Sequence, residues 1–119
     1  MDLLTLINRA GRQRMLTQEL MKLHLIKSYN IPYRGHVNQD ILECVESFNS
    51  TQVMLGAKPD NNLRVQKAIS VVNEAWMKFI AAFETHELDD VVELNTVVLK
   101  EMDHLVTELV LQYSKSCKA

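Results

Sequence analysis

Residues 65–83, VQKAISVVNEAWMKFIAAF, decide the fold. Val65, Ile69, Val72, Trp76, Phe79 and Phe83 recur at steps of four and three, which stacks them on one face of a helix with about 3.6 residues per turn. Gln66, Lys67, Ser70, Asn73, Glu74 and Lys78 fill the opposite face. A half-buried strand would alternate every second residue instead. A helix this amphipathic is marginal alone and must lay its apolar stripe against other helices.

Working outward from this stretch, Gly56 to Asn62 precede it with a stop, a turn and several candidate N-caps, so a second helix runs from near Gly35 to Leu55, with Val37, Ile41, Val45, Phe48, Gln52 and Leu55 on its stripe. A first helix spans about Asp2 to Tyr29 and ends before Asn30-Ile31-Pro32, because proline disfavours helical geometry in the residue before it. The fourth follows a short connection at His86 and Glu87, with Val91, Asn95, Val98, Met102, Leu105 and Leu109 on one seam. Val92, Leu99, Val106, Val110 and Tyr113 form a second seam beside it. Three Gly, two Pro and seven aromatic residues are too few for a many-turned β architecture. The expected fold is all-α: an antiparallel up-down-up-down four-helix bundle with long first and fourth helices, one domain over residues 1–119.

The 119 residues suffice for one core without metals or disulfides. A net charge of −2 with both signs dispersed gives no basic footprint for nucleic acid and no polybasic cluster for an anionic membrane. No apolar run approaches the ~20 residues of a membrane span. Leu3, Leu4, Leu6 and Ile7 lack the basic flank and small-residue cleavage site of a secretory leader. In an antiparallel bundle Cys44 and Cys117 fall roughly 30 Å apart along the axis, at about 1.5 Å per residue. A disulfide needs Cα atoms within about 7 Å, so both are expected to be unpaired.

Function is concentrated in residues 7–18, INRAGRQRMLTQ. The stripe Leu4, Ile7, Gly11, Arg14, Gln18, Met21 and Leu25 has the spacing of a helix edge facing a partner helix, yet its middle holds a glycine, a cation and an amide. Asn8, Gly11, Met15 and Gln18 share one face with Arg14 beside them, while Arg9 and Arg12 read as solvated surface, Arg12 close enough to lend positive potential. Leu16, Leu20 and Leu23 form another apolar set on a different face. Two apolar faces call for two partners, the helix's own bundle and a second subunit.

This stretch resembles the signature of the PilJ-type sensor domain of chemotaxis transducers, and the shorter signature of the nitrate/nitrite sensor kinases, in which Asn, Gly, Arg and Met recur at the spacing of Asn8, Gly11, Arg14 and Met15. Trp76, Phe79, the segment from Leu94 to Asp103, and Tyr113 fall where PilJ-type domains carry similar residues. The resemblance implies an extracytoplasmic, periplasmic sensor domain held between two membrane helices of a receptor, either a chemoreceptor or a histidine kinase. It implies a homodimer that binds a small anion, nitrate or nitrite, through Arg14, with Gly11, Asn8, Met15, Gln18 and Arg12 around it. Glu19 stands where that family often has arginine, and helical geometry turns it away from Arg14. The competing reading is a ligand-free dimerisation or protein-interaction module that docks a periplasmic partner.

Other residue clusters read as structure. Glu101 and His104 form a single Glu-x-x-His pair, where a di-iron bundle needs two such pairs and two further carboxylates. His24, His36 and His86 lack a helical partner at ligand spacing and are expected at surface or cap positions. The methionines are spread over all four helices as gap fillers. With no nucleophile-base pair and no phosphate loop, the chain is expected to have no catalytic residue, no metal and no cofactor.

Overall fold

A computed structural model describes residues 2–85 and 88–118, and the side chains of all of these except residues 3 and 116–118. Four helices form: α1 (Leu3–Ser28), α2 (Val37–Gly56), α3 (Leu63–Thr85) and α4 (Leu88–Lys118). Among the described residues there is no strand. His86, Glu87 and the side chain of Cys117 lie outside the described residues, while Cys44 is a free thiol, half buried.

Local chemistry fixes the helix ends. Asp2 caps α1 by accepting a 2.7 Å bond from the Thr5 amide. At the other end Asn30 takes a left-handed φ of 50°, and the Ile31 amide reaches back to the Ile26 carbonyl at 3.0 Å. Asparagine tolerates that conformation better than most residues, and Pro32 prevents resumption of the helix. Asn62 caps α3 through Val65 N at 2.9 Å, and Asn61 donates to the Leu55 carbonyl at 2.7 Å to seal the end of α2.

Cross-helix pairs show the direction of each helix. Gln13 meets Gln52 while Arg9 meets Met54, so α1 and α2 run oppositely. Gln52 pairs with Asn73 and Asn49 with Trp76 between α2 and α3. Asn62 bonds Gln112 and Arg64 approaches Glu108 between α3 and α4. Arg14 with Asp103 and Thr17 with Asn95 close the ring from α1 to α4. The result is an up-down-up-down bundle about 54 Å long.

Every member of the α3 stripe from Val65 to Phe83 is buried. Phe48 stacks on Trp76 with ring centroids 3.7 Å apart, and the Trp76 indole N–H donates to Asn49 Oδ1 at 2.9 Å. Aromatic burial on this scale stabilises by about 1.5–3 kcal/mol per side chain. The α4 seam is buried at Val91, Val98, Met102, Leu105 and Leu109, whereas its second seam is only partly covered, with Val92 and Val110 exposed.

The bundle-facing edge of α1 differs from the apolar stripe read in the sequence. It consists of Leu6, Ala10, Gln13, Thr17, Leu20 and His24, all buried. Gln13 is fully enclosed and donates through Nε2 to the Phe48 carbonyl at 3.0 Å and to Gln52 Oε1 at 3.3 Å. Gln52 in turn donates to Asn73 Oδ1 at 2.8 Å. This amide relay satisfies Gln13 Nε2 and both ends of the Gln52 amide, and it couples the register of three helices, because a slip of one turn would strand them in an apolar layer. His24 corrects a surface assignment: it is buried, with its ring 4.5 Å from that of Phe83. One more seam position on α1, not an isolated polar residue, is what its spacing from Leu20 and Thr17 describes.

Candidate functional site

The motif residues divide around α1. At about 100° per residue, Leu4, Asn8, Gly11, Met15 and Gln18 lie opposite the Leu6–Leu20 seam, and all five are exposed. Met15 is 69% exposed and Leu4 49% exposed, a large apolar display for a helix with its other face in a core. Arg14 stands on the α4 side of this ridge. Arg12 lies about 160° round from Arg14, on the α2 side, so the structure does not bring it together with the other five.

Gly11 sits in the middle of the ridge. A Cβ built there meets no atom within 4 Å. A glycine inside a helix costs about 1 kcal/mol relative to alanine, and no neighbour within this chain uses the space that it leaves.

Arg14 reaches across to α4. Its Nη1 lies 2.9 Å from both Asp103 Oδ1 and Oδ2, and neither Nε nor Nη2 has a partner among the described residues. The side chains are 49% and 55% exposed, so the pair contributes at most about 1 kcal/mol. The backbone beneath is firmer. Thr17 returns its hydroxyl to the Arg14 carbonyl at 2.7 Å, and Asn95 donates to the Thr17 carbonyl at 3.2 Å. Helix α1 is thereby pinned to α4 directly below the arginine. Sequence reading missed Asp103 as the arginine's counter-ion, since nothing in a one-dimensional pattern pairs residues 89 positions apart.

Glu19 points away from Arg14, towards α2, where its charge helps to raise the Cys44 thiol pKa, although burial is the larger cause. His104 lies 3.4 Å from Glu108 one turn along α4. Among the described residues no three His, Cys, Asp or Glu side chains come together in a metal-binding group, and no helix is long and apolar enough to cross a membrane. The ridge is apolar at Leu4 and Met15 and polar at Asn8 and Gln18, with a guanidinium engaged through one nitrogen at its edge.

No family model, no curated protein and no solved structure matches the chain in comparisons with known proteins. The class that the structure itself defines is the all-α four-helix bundle.

Proposed function

We propose that this bundle is the ligand-binding sensor domain of a bacterial transmembrane receptor, dimerising along the exposed ridge of α1 and holding a small oxyanion, nitrate or nitrite, between two copies of Arg14. The observation that carries this reading is the unfilled space at Gly11. Its helical cost is uncompensated within the protomer, and it lies between exposed Met15 and exposed Asn8, one turn from Arg14. A second α1 crossing at this glycine gives the missing side chain a purpose, a close approach of two backbones.

Such a crossing brings two guanidinium groups towards the two-fold axis, where they repel one another and lose water. An anion on the axis removes the conflict. Nitrate is planar and monovalent, and its three oxygens suit planar forks whose Nε and Nη2 donors are still unused. Asn8 and Gln18 lie along the same ridge as polar neighbours. The anion favours whichever crossing geometry converges the arginines, and by linkage that preference moves α1 against α4, to which Arg14 and Thr17 tie it. The extracytoplasmic placement and the receptor class rest on the motif's resemblance to PilJ-type and nitrate-sensor domains.

Calorimetric titration of nitrate into the purified chain, with oligomeric state followed by analytical ultracentrifugation, tests this. Binding at one nitrate per dimer, lost in Arg14→Ala, is the expected result. Unchanged binding in Arg14→Ala refutes the site, and a dimer indifferent to every anion favours the interaction-module reading, which the exposed Leu4, Met15, Val110 and Leu111 also suit.

A further inference from the structure

We propose that the cleft between α1 and α2 is a second anion site, separate from the Arg14 ridge, that takes a tetrahedral dianion: phosphate or sulfate, free or as the end of a small ester. Arg9 and Arg12, three residues apart on α1, form one wall of a cavity of about 300 Å³, and Ser47, Ser50 and Thr51 form the other from α2. Gln13 lines it from the core side, but its amide N–H groups are turned to Phe48 and Gln52, so the donors to an anion are the two guanidiniums and the three hydroxyls.

The two guanidiniums and three hydroxyls lining the cleft hold few bonds of their own. Elsewhere in the bundle Thr17, Thr85, Thr96 and Thr107 turn their hydroxyls back onto a carbonyl three or four residues earlier, the ordinary habit of a helical hydroxyl. Among the described residues Ser47, Ser50 and Thr51 are not in bonds of this kind, although Thr51 is only 7% exposed. Arg12 has no ion pair among the described residues. Arg9 reaches only the Met54 thioether, a weak acceptor without charge. No carboxylate lines the cavity.

Two like charges at this spacing repel along their own helix, so the pair is held against a cost that an anion would relieve. A dianion matches two uncompensated guanidiniums where nitrate, chloride or acetate matches one. Donors arrive from both walls, which suits oxygens directed to the corners of a tetrahedron better than oxygens in one plane. Because the walls belong to different helices, an occupant also bridges α1 to α2.

The test uses the purified chain at constant ionic strength, titrated in parallel with inorganic phosphate, sulfate, glycerol phosphate, acetate and chloride, with melting temperature and calorimetric affinity as readouts. One or more of the three tetrahedral anions raises the melting temperature above the acetate and chloride controls, and their ranking separates free ion from ester. Arg12→Ala and Ser50→Ala, both at exposed positions, each weaken that binding, the former by about tenfold or more, while Arg14→Ala leaves it unchanged. The proposal is overturned if no tetrahedral anion binds at millimolar concentration, if binding survives Arg12→Ala, or if acetate and chloride stabilise as well.

Discussion

Arg14 holds Asp103 with one nitrogen only: Nη1 lies 2.9 Å from each carboxylate oxygen, and the remaining edge of the guanidinium faces solvent. A carboxylate in that place is both an anchor and a rival. It orients the side chain along α4, and it competes with any external anion for the same positive charge. Asp103→Asn keeps the shape and removes the competing charge. It is expected to tighten nitrate binding several-fold in calorimetry, whereas Arg14→Ala abolishes it. Both exposed partners can be changed with a loss of stability within about 1 kcal/mol in urea melts, so a variant that loses binding by unfolding will be visible as such.

Gly11 makes a prediction of opposite signs. With open space around a Cβ at this position, Gly11→Ala removes a helix-interior glycine at no steric cost and should raise the stability of the isolated protomer by about 0.5–1 kcal/mol. The same methyl stands where two α1 helices would cross, so nitrate-linked dimerisation should weaken in sedimentation experiments. A variant that is more stable and still dimerises with nitrate removes the interface from this face.

Where apolar spacing was unbroken, the sequence was legible. The α3 stripe from Val65 to Phe83 and the α4 run Val98, Met102, Leu105 and Leu109 needed only periodicity, because burial of large apolar groups dominates the placement of such helices. The interior edge of α1 was hidden by its own chemistry. Gln13, Thr17 and His24 occupy core positions at heptad spacing, but an amide, a hydroxyl and an imidazole give no apolar periodicity, and His24 reads as a surface or cap residue until Phe83 is in place beside it. Most of the candidate site was visible as a motif, since Asn8, Gly11, Met15 and Gln18 do share one exposed face with Arg14 at its edge. Arg12 was grouped with them by nearness along the chain, but one residue of helix is about 100° of rotation, enough to carry it to the α2 side. Ser47, Ser50 and Thr51 gave no signal at all, because an unused hydroxyl is recognisable only when its surroundings are known.

The connection between α1 and α2 carries a pH prediction. The Tyr33 hydroxyl donates to Asp40 Oδ2, and that hydrogen bond, with lesser help from burial and nearby carboxylates, raises the phenol pKa from 10.0 to about 12. The folded state therefore keeps this proton more tightly than the unfolded chain. The stabilisation is complete below about pH 10 and is lost as the pH rises through the folded value. Ultraviolet titration at the phenolate band should show a late component from Tyr33, and Tyr33→Phe should remove both that component and the matching fall in melting temperature.

The amide relay at mid-bundle is the last and most discriminating case. Gln13→Leu fills the same space but leaves Gln52 Oε1, buried beside Phe48, without its donor. A buried polar group deprived of its partner costs about 1–3 kcal/mol, while replacing both partners with apolar groups of similar shape is nearly neutral. Gln13→Leu alone should thus lower stability by about 1–3 kcal/mol, and adding Gln52→Leu should restore a large part of it, because the remaining Asn73 is exposed and can turn to water. Additive losses in the double variant would show that the two amides act independently. The relay also specifies register, so the restored double variant is expected to melt less cooperatively in calorimetry, with a van't Hoff enthalpy below the calorimetric one.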